Sequence, residues 1–337
     1  MDIECAASER PSDISMKHEA LLEVRSLRKY FPARRGILSR ARWVHAVDGA
    51  SFIVEAGETF GLVGESGCGK TTVLRLIMRL IEPTSGEAIF TGEDIFKMSR
   101  ERLKWLRSQI SMIFQDPHSS LDPRMTLADI IAEPLKMRGL RKAKQRMKRV
   151  QELLERVGLS KAYVNRYPHE FSGGQKQRIG IARALAVGPK LILADEPVSS
   201  LDLSIRGSIL NLLRELQGEL GLAYLYVSHD LSTVRHFCHR TMVMYLGKGV
   251  ELGPTDDVYL EPLHPYTKVL MSAIPVPDPA AKVTRKSLKG EVPSSLNPPS
   301  GCYFHPRCPY AIPTCSEKEP DFVEVKQGRY VACHLVQ

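Results

Sequence analysis

Three short stretches hold side chains whose types and spacing suit chemistry on a phosphorylated substrate. The first, Gly64-Glu-Ser-Gly-Cys-Gly-Lys70-Thr71, fits the pattern G-x-x-x-x-G-K-[ST]. Its glycines let the backbone curl until several N–H groups face inward around phosphate oxygens, and a helix that starts there adds its positive end. Gly64, Glu65, Ser66, Gly67, Cys68, Gly69, Lys70, Thr71 and Thr72 would then line the phosphates of a nucleoside triphosphate. Lys70 would reach the β and γ phosphates, and the Thr71 hydroxyl would ligate Mg2+. Cys68 reads as a small residue tolerated in the loop rather than a redox switch.

The second stretch is Leu191-Ile-Leu-Ala-Asp195-Glu196, an apolar run ending in two acids. A buried strand would deliver Asp195 to the carboxyl edge of a sheet, where open α/β folds bind ligands. Asp195 would belong to the Mg2+ shell, and Glu196 would act on the attacking water as general base. Neighbouring strand residues point to opposite faces, so both acids can serve one site only if the chain turns at the strand end. The third stretch, Val227-Ser-His229-Asp230, again follows an apolar run and sets His229 to meet the γ-phosphate or the water.

The elements that must hold these groups alternate along the chain. Strand-like patterns cover 21–31, 44–54, 59–63, 109–114, 191–194 and 223–227, and helical spacing covers 71–80, 174–186 and 205–220. Residues 116–170 read as helical and polar, broken at Pro123 and Pro134. Strands alternating with helices predict an α/β fold with a mostly parallel sheet and flanking helices.

The chain has 337 residues, 43% hydrophobic and 25% charged, an ordinary globular balance with no window near the roughly 18 apolar residues that span a bilayer. The first twenty residues are polar and mixed in charge, so they read as a flexible leader (1–19) rather than a signal peptide, and the chain reads as cytosolic. A net charge of +9 draws partly on a cluster at Lys136, Arg138, Arg141, Lys142, Lys144, Arg146, Lys148 and Arg149, read first as a solvated helix face. Past Pro275 the texture turns proline-rich and irregular, and four of the seven cysteines lie there, spaced C-x5-C-x6-C-x17-C at Cys302, Cys308, Cys315 and Cys333. In a cytosolic chain such cysteines suit metal better than disulfides, although the C-x2-4-C pairs of zinc folds are missing. The tail is expected to pack apart from the phosphate loop, organised by its cysteines for want of a core.

Phe171-Ser172-Gly173-Gly174-Gln175, set between the phosphate loop and the paired acids, resembles the signature of the nucleotide-binding subunits of ABC transporters. The order is complete: Gln115 as the Gln-loop residue, the signature, a turn at Pro189, Asp195-Glu196, Ser200-Leu201-Asp202 as the D-loop, and His229. Only Phe171 departs from the common form, which has Leu. The resemblance implies a P-loop NTPase cassette over 20–272, with an antiparallel β subdomain and a helical subdomain at about 116–172. It implies Glu196, His229 and Gln115 as catalytic residues, and Mg2+ held through Thr71, Gln115 and Asp195. It implies ATP stacked on an aromatic, Phe31 before Tyr30. It also implies a head-to-tail pair in which Ser172, Gly173, Gly174, Gln175 and Asp202 serve the partner's ATP.

Leu246-Gly-Lys-Gly-Val-Glu-Leu-Gly253, His264-Pro-Tyr-Thr267 and Gly301-Cys-Tyr-Phe-His-Pro-Arg-Cys-Pro309 look like the oligopeptide/dipeptide importer branch, as does the loop 32–42. That branch implies a tail at 273–337 carrying a [4Fe-4S] cluster on Cys302, Cys308, Cys315 and Cys333. It implies a related, non-identical second cassette, two membrane permease subunits and an extracytoplasmic solute-binding protein, with this chain on the cytoplasmic face of the inner membrane and no nucleic acid bound. The competing reading, a non-transport ABC ATPase acting on nucleic acid or ribosomes, rests on the positive charge. It lacks the second cassette or long coiled coil such proteins carry.

Overall fold

The computed structural model describes residues 20–33, 42–116, 120–273 and 290–337. The leader at 1–19 and most of the basic loop at 32–42 lie outside them. The described strands form two sheets. The first is antiparallel, in the order β2-β1-β4-β5, from β1 (Ala20–Ala33), β2 (Arg42–Glu55), β4 (Ser85–Phe90) and β5 (Glu93–Asp94). The second has the order β11-β12-β10-β9-β3-β8-β7-β6. It contains β3 (Thr59–Val63), β6 (Ile110–Ile113), β7 (Leu191–Asp195), β8 (Ala223–Ser228), β9 (Arg240–Tyr245), β10 (Lys248–Pro254), β11 (Val323–Lys326) and β12 (Arg329–Val331).

From β9 through β3, β8 and β7 to β6 the pairing is parallel, and β10, β12 and β11 continue it antiparallel. β3, β7 and β8 are buried along their whole length, which is why they read as unbroken apolar runs instead of alternating ones. One core lies between the two sheets, around Phe60, Leu62, Phe90 and the inner face of α1 (Lys70–Ile77). The other joins the opposite face of the long sheet to the helical subdomain and includes Phe304 of the tail.

The helical subdomain holds α3 (Leu127–Met137) and α4 (Ala143–Arg156), numbered after α2 (Arg100–Gln109), and is followed by α5 (Gly173–Leu185). Thr126 caps α3 by accepting from Asp129 N–H, and Ser99 does the same for α2 at Arg102. Pro134 does not break α3, which runs through it with Leu127, Ile131 and Leu135 buried on one face; packing of that face outweighs the lost hydrogen bond. The basic cluster is largely a solvated face, as read. Within it Lys136 pairs with Asp129, Arg149 with Glu152, and Arg138 and Arg146 donate to backbone carbonyls.

The tail is the main correction. It is neither irregular throughout nor packed apart. β12 pairs with β10 and so extends the main sheet, Val331 and Phe304 are buried, and Arg329 forms an ion pair with Glu251 at 2.8 Å inside the protein. The prolines made the segment look coreless, but it borrows a core from the cassette.

Candidate functional site

The phosphate loop runs from the end of β3 into α1, in the order its motif requires. Glycine is needed at two places for steric reasons. Gly64 has φ +153° and a Cβ there would lie 2.2 Å from Met244 O, and Gly69 has φ +103° with Ala46 O at 2.0 Å. Lys70 is buried, and its Nζ donates to Gly64 O at 2.7 Å and Glu65 O at 3.0 Å, which holds the ammonium over the loop. Cys68 is buried 3.6 Å from that nitrogen, and burial pushes its thiol pKa up, so it is no reactive thiolate.

The second strand end meets this loop. Thr71 Oγ1 donates to Asp195 Oδ1 at 3.0 Å across 124 residues. Burial holds the Asp195 carboxyl above the usual carboxylate range, against the hydrogen bond from Thr71 that lowers it. Glu196 has φ +45°, a left-handed conformation rare for a side chain without an Asn or Gly backbone preference. That turn lets the two adjacent acids face one site. Glu196 N–H donates to Val227 O at 2.9 Å, which anchors the turn to β8.

The Glu196 carboxylate lies between two partners, His229 Nδ1 at 2.9 Å from Oε1 and Gln115 Nε2 donating to Oε2 at 3.0 Å. The three expected catalytic groups therefore sit together, though they come from three separate strand ends. Arg206, which sequence reasoning missed, ties this region to the D-loop. It pairs with Asp230 at 3.2 Å and donates to Leu201 O at 2.8 Å and Ser199 O at 3.1 Å.

The signature opens α5. Ser172 Oγ accepts from Gln175 N–H at 3.4 Å and Gln175 Oε1 accepts from Ser172 N–H at 3.0 Å, a reciprocal cap that satisfies the N–H groups of both residues. Gly174 is needed here because a Cβ would strike Ile205 at 2.6 Å. Phe171 in place of Leu is buried and packs edge-on to Tyr163 at 5.3 Å, so the change fills the subdomain core and leaves the Ser-Gly-Gly segment alone. Asp202 is exposed at the start of the helix Leu203–Leu220.

The two aromatics considered for adenine are now distinguishable. Tyr30 donates to Asp48 at 2.5 Å and stacks on His45 at 4.1 Å, and is thereby committed to the protein. Phe31 is 37% exposed, with Lys29 5.0 Å from its ring centre.

The cysteine tail departs from expectation. Among the described residues no group of three or more His, Cys, Asp or Glu side chains is set to hold a metal ion. Cys302, Cys308, Cys315 and Cys333 are free, and burial raises the Cys302 pKa to about 11, helped by the neighbouring Cys315, Cys333 and Cys308. Burial likewise raises the Cys308 and Cys333 thiol pKa values, and neighbouring cysteines add to it. His305, a reserve ligand by sequence, holds the Cys302 carbonyl through Nδ1 at 2.9 Å.

Comparison with known proteins fits this geometry. The ABC transporter family model matches residues 47–199, and the model for the oligopeptide/dipeptide transporter C-terminal region matches 250–315. The oligopeptide transport ATP-binding protein AppF of Bacillus subtilis (strain 168) is 53% identical over 94% of this chain and 98% of its own length. The chain belongs to the oligopeptide-transport family of ABC ATPases.

Further members are similarly close to this ABC ATPase. A probable peptide ABC transporter ATP-binding protein of Sinorhizobium fredii is 51% identical over 94% of this chain and 90% of its own. Among solved structures, the cassette MJ0796, seen as a dimer in a post-hydrolysis state with ADP and Pi, is 30% identical with a TM-score of 0.61 over 69% of this chain and 98% of its own. The cbiO1 protein of Clostridium perfringens, part of an ABC transporter complex, is 28% identical with a TM-score of 0.62 over 72% of this chain and 91% of its own. The fold is thus the ABC cassette, with α/β content, a mixed sheet and helices. Among the described residues of this ABC ATPase no helix is long and apolar enough to cross a membrane.

Proposed function

We propose that this chain binds ATP with Mg2+ and hydrolyses it to drive import of di- or oligopeptides, or related small solutes, through membrane permease subunits. The observation that carries the reading is the meeting of Thr71 with Asp195 and of Glu196 with His229 and Gln115 at one end of the sheet. A hydroxyl and a buried carboxylate 3.0 Å apart are the hard oxygen donors that suit Mg2+, and the Gln115 carbonyl oxygen is a third. When bound, the ion would neutralise charge on the phosphates. The rest falls to the protein. Lys70 and the loop N–H groups bind the phosphates, Glu196 accepts a proton from the attacking water, and His229 and Gln115 hold the Glu196 carboxylate in place.

Phe31 offers the open aromatic face for adenine. The N–H groups of Gly173 and Gly174, which the cap does not use, stand at a helix start that suits a second phosphate chain, held by a partner cassette. The reading includes a second, related ATPase subunit, two permease subunits and an extracytoplasmic solute-binding protein, with this chain on the cytoplasmic face of the inner membrane and no nucleic acid bound.

The four tail cysteines are read as ligands of a [4Fe-4S] cluster. What supports this is that four free, partly to fully buried cysteines gather in one tail, although among the described residues they form no ready ligand group.

The test is to purify the chain with its partner cassette and permease subunits, seal the complex into vesicles, and measure peptide uptake with ATP on the side of this chain. Uptake that requires both ATP and peptide-loaded binding protein is expected. ATPase activity that responds to RNA or DNA and not to peptide would favour the nucleic-acid reading instead.

A further inference from the structure

Two segments from outside the phosphate loop end on one of its residues, Glu65. Tyr266, of the His264–Thr267 motif, accepts a hydrogen bond from Glu65 N–H at 3.1 Å. Arg307, directly before Cys308, places Nη1 3.3 and 3.4 Å from the two carboxylate oxygens of Glu65 and 3.4 Å from Tyr245 Oη. The remaining polar group of Glu65, its carbonyl, accepts from Lys70 Nζ at 3.0 Å. Each polar group of Glu65 therefore has a partner, and the chain of contacts runs from the tail to the lysine of the loop.

The platform beneath these contacts is rigid. Tyr245, Tyr266 and Phe304 interlock with ring centres 4.7 to 5.4 Å apart, and all are buried. Arg307 is itself only 9% exposed, its guanidinium 5.9 Å from the Tyr245 ring. Among the described residues its Nε finds no hydrogen-bond partner, so packing and Glu65, not a full set of bonds, fix its position. Tail residues Pro293, Ser294 and Ser295 line a cleft with Glu65 and Ser66, and Ser295 O accepts from His45 N–H at 2.9 Å.

Charge gives this contact a purpose. A carboxylate inside a loop that receives a triphosphate repels it, and Glu65 is such a carboxylate. We propose that Arg307 is a positioning residue for ATP: the tail supplies the cation that cancels Glu65, and with Tyr266 it fixes the Glu65 backbone whose carbonyl steadies Lys70. The tail of this family would then act on nucleotide affinity as well as on fold. The inference rests on the phosphate-loop reading above.

The test measures binding of a fluorescent ATP analogue to the full chain. Arg307→Met should raise Kd about tenfold, because it leaves one uncompensated charge near the phosphates at partly screened range. It should raise the Kd for ADP less, since ADP carries less charge. Glu65→Gln alone should bind ATP more tightly than wild type, because it leaves the Arg307 cation uncancelled beside the phosphates. The double variant Arg307→Met/Glu65→Gln should return to within about twofold of wild type, a rescue that a merely structural role for Arg307 would not give. In the assembled importer, Arg307→Met should raise KM for ATP while kcat at saturating ATP is kept. Wild-type affinity in Arg307→Met, binding no tighter than wild type in Glu65→Gln, or a double variant no tighter than Arg307→Met would each overturn the proposal. Lys70→Ala separates the two layers: if it too leaves ATP affinity unchanged, the phosphate-loop reading fails; if it weakens binding while Arg307→Met does not, only the role of Arg307 fails.

Discussion

Tyr303 in the tail donates a 2.7 Å hydrogen bond to Asp48 in β2, joining parts of the chain 255 residues apart. Asp48 also accepts from Tyr30 at 2.5 Å and pairs with Lys248 at 3.2 Å, so one buried carboxylate links the antiparallel sheet, the β9–β10 hairpin and the tail. Burial alone would raise its pKa, but these donors bring it down to about 2.

The pH dependence of tail docking follows. A carboxylate depressed in the folded state contributes stability above its unfolded pKa of about 3.9, and that contribution is lost as pH falls toward 2. Allowing for partial solvent screening, the contribution is on the order of 1–2 kcal/mol. Asp48→Asn should therefore lower the urea midpoint at pH 7 and matter progressively less from pH 4 down to pH 2. Equal sensitivity to the substitution at pH 7 and pH 2 would contradict this role.

The ion pair between Glu251 and Arg329 makes a stronger demand. Both side chains are almost wholly inaccessible, and Glu251 also accepts from Leu263 N–H and His264 N–H. Arg329→Met should cost about 3–5 kcal/mol, because it strands a buried carboxylate. Adding Glu251→Gln should recover part of that loss, which urea unfolding of the single and double variants would show. A double variant less stable than Arg329→Met would count against charge burial as the cause.

For the cysteines, chain purified without oxygen should be brown and hold about four irons, as a four-thiolate cluster requires. Cys302→Ser, Cys308→Ser, Cys315→Ser and Cys333→Ser should each bleach it, and Cys68→Ser and Cys238→Ser, both at buried sites elsewhere, should not. Because the tail touches Glu65, the bleached variants should also bind ATP more weakly. Zinc at one equivalent with no iron would replace the cluster, and neither metal in an ordered tail would remove both.

The signature test divides the site between two chains. Ser172→Arg should leave ATP binding to the isolated chain unchanged, since the hydrogen bonds of Ser172 close on Gln175 and not on the phosphate loop. In the assembled complex it should block turnover, because the bulky cation fills the anion-binding surface offered to the partner's nucleotide. Lost binding in the isolated chain would contradict the division.

How much of this was legible in one dimension depends on where each partner lies. β3, β7 and β8 were readable because a strand buried on both faces must be an apolar run, and Lys70, Thr71, Asp195, Glu196 and His229 follow those runs directly. The φ of +45° at Glu196 was only a requirement, that the chain turn, until the structure met it. Arg307 and Tyr266 lie in stretches the sequence singles out, but nothing local joins them to Glu65, 242 and 201 residues away. The same holds for Arg206, whose sequence neighbourhood is an ordinary helix start. The tail was misread because proline density indicates irregular backbone but says nothing of whose core a segment shares. Phe304 and Val331 are buried in the cassette's cores and sheet, not in one of their own.

The most direct test of the central claim is ATP turnover by Glu196→Gln within the assembled importer. Gln keeps the size of the side chain and can still meet His229 and Gln115, but it cannot take a proton from water. The account predicts ATP binding close to wild type, loss of hydrolysis by at least about a hundredfold, and a complex that traps ATP between paired cassettes. Hydrolysis at the wild-type rate would show that Glu196 is not the base, and with it the site described here would lose its chemistry.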